Sequence, residues 1–294
     1  IRKYYNVIGW TELDLARTTG LGELPPRALL LTFDDGYRDH FDNVLPILVD
    51  NGLTGCFFPP AKAVTQHEVL DVNKIHFILA AAPTTSQLLT SMFDLLDDAR
   101  REYPLEREDH YWKKLAHPNR FDSAEVILFK RMLQRELPEQ LRRRITDTLF
   151  RRFVTHHEAA FSQELYMGLD ELQALREAGM HIGSHGFDHY WLNTIDQAGQ
   201  KREIGLSLEF LKRLGVATDD WMMCYPYGAY NESLLAILRQ MGCGAGFTTE
   251  VRIADISHDD FLTLPRIDTN DLPRHRDAAP NEWTKRVLEE EAAS

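Results

Sequence analysis

Residues 27–60 carry the pattern that most constrains the fold, because they predict two strands joined by one helix. The mostly apolar run 27–33 ends in the acidic turn Asp34-Asp35-Gly36, as expected of a buried strand followed by a sharp turn. A one-sided helical pattern follows, and residues 54–58 predict a second strand that Pro59-Pro60 ends. Strands connected through a helix in this way lie parallel in one sheet, so the sequence predicts an α/β protein.

The same alternation of strands and helices returns in the second half of the chain. Strands are predicted at 180–183, 221–224, 245–248 and 261–264, with helices over 170–178, over 196–214 and from Asn231 onwards. Between about residues 70 and 167 the sequence is instead charge-rich and helix-periodic. We therefore expect one domain over residues 1–294, with a mostly helical insertion at about 70–167 and a C-terminal tail at about 271–294.

The composition excludes several classes of protein. A formal net charge of −12 repels phosphate backbones, so no nucleic-acid partner is expected. Three cysteines without Cys-x-x-Cys spacing argue against a disulfide framework, and 44% hydrophobic residues allow a full core. The sequence has no apolar run long enough to cross a bilayer and no signal-peptide pattern, so we expect no membrane span and a cytoplasmic location. The oligomeric state stays open.

Three short polar segments follow predicted strands, and active sites of β/α barrels are built at that end of the strands. In the first segment, Thr32-Phe33-Asp34-Asp35-Gly36, neighbouring carboxylates point in different directions. One of them can therefore bind a metal ion while the other serves as a base. Gly36 allows the sharp turn of the backbone beneath them.

The second segment is Ser184-His185-Gly186-Phe187-Asp188-His189. Two histidines four residues apart face one point if the segment makes a helical turn, and imidazole is a common ligand of divalent metals. Asp188 lies between them and is a candidate to orient one ring.

The third segment, Cys224-Tyr225-Pro226-Tyr227-Gly228, contains a proline and a glycine that fix a tight loop. Such a loop can direct a backbone N–H at a developing oxyanion.

Taken in this order, Thr-Phe-Asp-Asp-Gly, Ser-His-x-x-x-His and Tyr-Pro-Tyr-Gly resemble the motifs of the polysaccharide deacetylases, which contain the NodB homology domain of carbohydrate esterase family 4. The resemblance covers about residues 29–60 and 169–268. It implies a distorted (β/α) barrel with fewer than eight regular strands. It also implies a divalent metal, zinc first, with cobalt, nickel or iron as alternatives.

By the same resemblance, Asp34 corresponds to the base that activates the attacking water. Asp35, His185 and His189 correspond to the metal ligands, and the backbone N–H of Tyr227 to the group that stabilises the oxyanion.

Two elements of the family pattern are missing from the sequence. It has no late Leu-x-x-His motif, and its late histidines, His258 and His275, lie outside such a pattern. The arginine that often precedes the third motif is also absent, and Met223 and Cys224 occupy that region. Arg266 is a candidate substitute, because it could pair with Asp34 and keep that carboxylate ionised.

The expected function is hydrolysis of an N-acetyl group on an amino sugar in a polysaccharide or glycan precursor. Two alternatives remain at this stage. One is a deacylase or deformylase of a small or lipid-linked amino sugar. The other is a catalytically silent carbohydrate-binding protein on the same scaffold, which the missing late histidine favours and the four intact acidic and histidine positions oppose.

Overall fold

The computed structural model describes residues 1–20, 24–119, 122–275 and 277–293. The chain divides into two compact units. The first combines Ile1–Gln66 with Gln163–Ser294, and the second is His67–Ser162. No helix in the described part of the chain combines the length and apolar character that a bilayer crossing requires.

The first unit contains the seven strands of the described residues, with helices between them. In chain order its elements are β1 (Asn6–Ile8), α1 (Trp10–Thr19), β2 (Ala28–Leu30), β3 (Thr32–Asp34), a π-helical turn (His40–Val44), α2 (Leu45–Asp50), β4 (Cys56–Phe58) and α3 (Ala61–Gln66). After the second unit it continues with α10 (Leu169–Glu177), β5 (His181–Ile182), α11 (Gln197–Arg213), β6 (Trp221–Cys224), α12 (Glu232–Gln240), β7 (Cys243–Phe247) and α13 (Glu282–Ala293). Short 3-10 turns occupy Leu192–Thr194, Pro226–Gly228, Phe261–Thr263 and Thr269–Asp271.

The second unit is helical throughout its described residues. Its helices are α4 (Asp71–Ala81), α5 (Thr85–Ala99), α6 (Glu108–Leu115), α7 (Ala124–Arg131), a π-helical turn (Met132–Glu136), α8 (Glu139–Phe153) and the first part of α9 (Glu158–Leu165). Lys74 is buried among them, and its ammonium group lies 2.5 Å from Asp147 and 2.7 Å from Glu158. That this unit is an insertion into a single domain stays a prediction.

The strands of the first unit follow one another around an incomplete barrel. β3, β4 and β5 form a parallel sheet, and β6 and β7 form a parallel pair. Parallel bridges join Ser184 to Met223 and Phe247 to Leu264, which extends the parallel order from β3 to the segment after β7. The carboxyl ends of these strands therefore lie on one side, where the three polar segments follow them.

Two apolar layers hold this arrangement together. One cluster includes Ile8, Phe58, Met222 and Phe247, which come from β1, β4, β6 and β7, together with Leu264 after β7. A second cluster lies between strands and helices and is represented by Phe57, Ile182, Leu211, Trp221 and Leu238. Burying this apolar surface on both faces is what a parallel sheet requires.

The prediction of one strand over residues 27–33 is wrong in one respect. The chain breaks at Leu31, so that β2 pairs with β1 while β3 pairs with β4. The carbonyl of Leu31 still accepts a hydrogen bond from the N–H of Cys56, at 2.8 Å. A uniformly apolar run gives no sign of where a strand changes its partner.

The prediction of a strand over residues 261–264 is also wrong. Phe261–Thr263 form a 3-10 turn, and only Leu264 makes a strand-like bridge. The reason is Asp260, whose carboxylate accepts the N–H of Leu262 and so caps a helical turn. This local bond competes with the β-conformation that the apolar residues favour.

Candidate metal centre and active site

The two carboxylates of the first motif lie where β3 ends. Asp34 is its last residue, and Asp35 follows with a left-handed backbone, at φ 68°. Gly36 has φ 66°, and a Cβ at this position would lie only 2.8 Å from the Cβ of Pro59. Glycine is therefore required at position 36 both for the turn and for the close approach to the next strand's loop.

Three side chains from two motifs converge on one point. The Oδ1 atom of Asp35 lies 3.3 Å from Nε2 of His185 and 3.4 Å from Nε2 of His189. Zinc bonds of about 2.0–2.1 Å in tetrahedral geometry separate neighbouring ligand atoms by about 3.4 Å. The two distances from Asp35 therefore match those of a tetrahedral zinc site, and the donor atoms of the two imidazoles and the carboxylate all lie within 4.8 Å of one another.

A hydrogen bond also fixes which ring nitrogen of His185 faces Asp35. Its Nδ1 lies 2.7 Å from the carbonyl oxygen of Cys224, so Nδ1 carries the hydrogen and donates it. In the neutral ring, Nε2 then directs its lone pair at the carboxylate of Asp35. That contact is repulsive unless a proton or a cation lies between the two atoms, and the bond from the other ring nitrogen is typical of metal-binding histidines.

The pKa values of Asp35, His185 and His189 are shifted by burial and by contacts with neighbouring groups. Burial acts to lower the pKa of His185, but Cys224 and Asp35 outweigh it and raise this pKa well above its ordinary value. Burial lowers the pKa of His189. Burial acts to raise the pKa of Asp35, but its contacts with the two histidines leave it below the ordinary value. The donor set therefore fits a divalent cation, which can serve all three groups at once.

Left-handed backbone conformations concentrate at this site. Five non-glycine residues of the described chain have positive φ, and three of them are Asp35 (68°), His189 (59°) and Tyr227 (58°). Such conformations are costly for residues with a Cβ and are retained where the surrounding structure and function demand them. The two histidines meet without the helical turn considered for them: residues 185–189 form a loop, in which Gly186 has φ 75°.

Asp34 faces a different partner from Asp35. Nη1 and Nη2 of Arg266 donate to the two carboxylate oxygens of Asp34 at 2.9 and 2.8 Å, and Nη1 also donates to the hydroxyl of Thr32 at 3.2 Å. The predicted pairing of these two residues is confirmed. Burial acts to raise the pKa of Asp34, but His185 and Arg266 outweigh it and hold this pKa below its ordinary value.

A second group of donor atoms, from Asp34, His185 and Cys224, also lies within metal-binding distance of one another. Here Arg266 already supplies a positive charge to both oxygens of Asp34. Burial also raises the pKa of the Cys224 thiol, which disfavours the thiolate that binds metals. Of the two groups, the one formed by Asp35 and the two histidines is therefore better suited to hold a metal ion.

Tyr227 lies in the 3-10 turn after β6 and borders the triad. Its ring is 4.9 Å from that of His189 and stacks on Trp191 at 4.4 Å with an interplanar angle of 8°. Trp191 could not be identified as a site residue from the sequence, because a single tryptophan two residues after a motif forms no recognisable pattern. The late histidines, His258 and His275, differ from the buried histidines of this site. Both are exposed, and His258 contacts Asp255.

Asp188 does not take the orienting role considered for it. Its carboxylate lies 2.6 Å from Nζ of Lys62, while the carbonyl of Cys224 orients His185. Cys56, Cys224 and Cys243 are free cysteines, in agreement with the argument against a disulfide framework.

Comparisons with known proteins bear on the family and the fold of this chain. The family model described as polysaccharide deacetylase matches residues 22–94 and 137–246, which is more than half of the chain. No curated protein sequence matches it. Among solved structures, the Streptococcus pyogenes deacetylase PplD in complex with acetate is 16% identical with a TM-score of 0.55, covering 98% of this chain and 80% of PplD.

The deacetylase domain of BpsB from Bordetella bronchiseptica is 15% identical with a TM-score of 0.52, covering 90% of this chain and 80% of that domain. At such identities the likeness establishes the fold, and it confirms the predicted distorted (β/α) barrel.

Proposed function

Because the chain belongs to the polysaccharide deacetylase family, we propose that it is a metal-dependent hydrolase that removes the N-acetyl group from an amino sugar in a polysaccharide or glycan precursor. The observation that carries the proposal is the pair of adjacent carboxylates with separate environments. Asp35 faces two imidazoles, whereas Asp34 is held by Arg266. One carboxylate is thereby suited to bind a cation and the other to move a proton.

Asp35, His185 and His189 would hold the metal, most suitably zinc, with cobalt, nickel or iron as alternatives. A divalent ion in this donor set supplies Lewis acidity, which lowers the pKa of water and polarises an acyl oxygen. Three protein ligands leave further positions open, as catalytic zinc sites do.

Asp34 is the proposed base. Its carboxylate is kept ionised because Arg266 donates to both of its oxygens, and it accepts a proton from the water that attacks the acetyl carbon. The C–N bond then breaks, and the leaving nitrogen needs a proton. The proton that Asp34 has accepted is the one available, since Arg266 favours the return of Asp34 to its anion. This scheme needs no late histidine.

Tyr227 is proposed to stabilise the oxyanion of the tetrahedral intermediate through its backbone N–H. What supports the role is the rigid placement of this residue. Pro226 precedes it, its backbone is left-handed, and its ring is stacked on Trp191. A donor that is already oriented needs little reorganisation when charge develops.

The test is acetate release from N-acetylated amino-sugar oligomers by chelator-treated protein, with and without added Zn²⁺. We expect release only after metal is restored. A formylated and a lipid-linked amino sugar tested beside them distinguish the deacylase and deformylase alternatives. Absence of hydrolysis of any acylated sugar by metal-loaded, folded protein would instead favour the silent carbohydrate-binding scaffold.

A further inference from the structure

One face of α11 is unusual because it buries polar side chains. Gln200, Glu203 and Ser207 are 0%, 1% and 0% exposed. Their spacing of three and four residues places them on one side of the helix. An amphipathic helix normally presents apolar residues on its buried side, so these three require partners there.

All three bind the segment that carries the metal-site histidines, which we call the histidine loop (residues 184–192). Ser207 lies at its start, 2.6 Å from the hydroxyl of Ser184. At its end, the amide of Gln200 donates to the carbonyl of Leu192 at 2.8 Å.

Glu203 binds the middle of the loop, between the two histidines. Its Oε2 atom accepts the N–H of Phe187 at 3.2 Å and that of Asp188 at 2.9 Å. The loop has no helical or strand hydrogen bonds in this part, so these N–H groups need another acceptor. Burial raises the pKa of Glu203 to about 7, because its surroundings disfavour the charged carboxylate.

We propose that Glu203 is a positioning residue for the metal centre: by binding the N–H groups of Phe187 and Asp188, it holds the strained histidine loop so that both imidazoles meet Asp35. The inference rests on the proposed metal site. Glu203 acts through the loop backbone, because its hydrogen bonds go to the N–H groups of Phe187 and Asp188 and to none of the three proposed metal ligands. Its effect is therefore on the geometry and affinity of the site, as expected of groups that orient metal ligands.

The experiment compares Zn²⁺ affinity, by calorimetry on chelator-treated protein, among wild type, Glu203→Leu, Glu203→Gln and Ile204→Ala. Ile204 is buried on the same helix, has an apolar side chain and so serves as the control for lost stability. We expect Glu203→Leu to weaken Zn²⁺ binding about 10–100-fold. Glu203→Gln keeps an acceptor oxygen and should return affinity to near the wild-type value. Ile204→Ala should lower the unfolding midpoint but bind Zn²⁺ as wild type does.

The visible absorption of bound Co²⁺ adds a readout of coordination geometry, which should change in Glu203→Leu alone. If Glu203→Leu does not fold, Ser207→Ala provides a milder loss of the same support, with a smaller decrease in affinity. Equal affinity in Glu203→Leu and wild type, or equal losses in Glu203→Leu and Ile204→Ala, would overturn the positioning role. Failure of wild type to bind Zn²⁺ would instead remove the proposed metal site itself.

Discussion

Replacing Asp34 with asparagine separates the base from the metal site. The side chain keeps its size but loses its charge and its ability to accept a proton. Arg266 donates to both oxygens of Asp34 at 2.9 and 2.8 Å, and asparagine offers one oxygen and one NH₂ group in their place. One of the two charge-assisted bonds is therefore lost, and a donor then faces a donor.

These changes set the expected magnitudes. Loss of a positioned base lowers kcat about 10²–10⁴-fold, which corresponds to about 3–5 kcal/mol in the activation barrier. Loss of one hydrogen bond to a charged group lowers the free energy of unfolding by about 1.5–3 kcal/mol. The side chains of Arg266 and Asp34 are 20% and 30% exposed, so the lower end of that range is expected. Zn²⁺ affinity should stay close to that of wild type, because Asp34 is not in the ligand triad.

The assay is acetate release from the best acetylated oligomer, together with urea unfolding and Zn²⁺ calorimetry. Asp50→Asn is the matched control, since Asp50 is an exposed acid at the end of α2. It should leave all three quantities unchanged. Turnover by Asp34→Asn within tenfold of wild type would refute the assignment of Asp34 as base.

Three further outcomes are expected. Arg266→Met removes a charge that lowers the pKa of Asp34, so this pKa should rise. The acidic limb of the kcat/KM–pH profile should then move to higher pH, and an unmoved limb would contradict the role of the pairing. His258→Ala and His275→Ala should each keep wild-type acetate release, because Asp34 returns the proton; a large loss in either would identify a missing general acid. Gly36→Ala should lower the free energy of unfolding by at least about 1–2 kcal/mol for the left-handed backbone, measured by urea titration, and an unchanged midpoint would argue against the close contact with Pro59.

Much of the site could be predicted from the sequence because its residues follow strands. Once the strands were placed in one parallel order, Asp35, His185 and His189 had to lie on the same side of the barrel. Arg266 and Asp34 are 232 residues apart along the chain. Their pairing could be predicted from the sequence for the same reason. Their catalytic roles remain proposals for the experiments above.

What could not be predicted depends on single backbone conformations and on tertiary burial. The switch of partner at Leu31 leaves no mark in an apolar run, and the cap at Asp260 decides a turn that apolar residues alone do not reveal. The loop geometry of His189 needs a left-handed φ that its residue type does not announce. Glu203 looks like an ordinary surface position of an amphipathic helix until the fold shows what lies against it.

The most direct test of the central claim is Zn²⁺ binding to chelator-treated protein, measured by calorimetry for wild type, His185→Ala and His258→Ala. His258 is 82% exposed in its side chain and serves as the control histidine. We expect wild type and His258→Ala to bind one equivalent tightly and His185→Ala to lose that binding while remaining folded. Undiminished binding by His185→Ala, or no binding by folded wild type, would contradict the assignment of this metal centre.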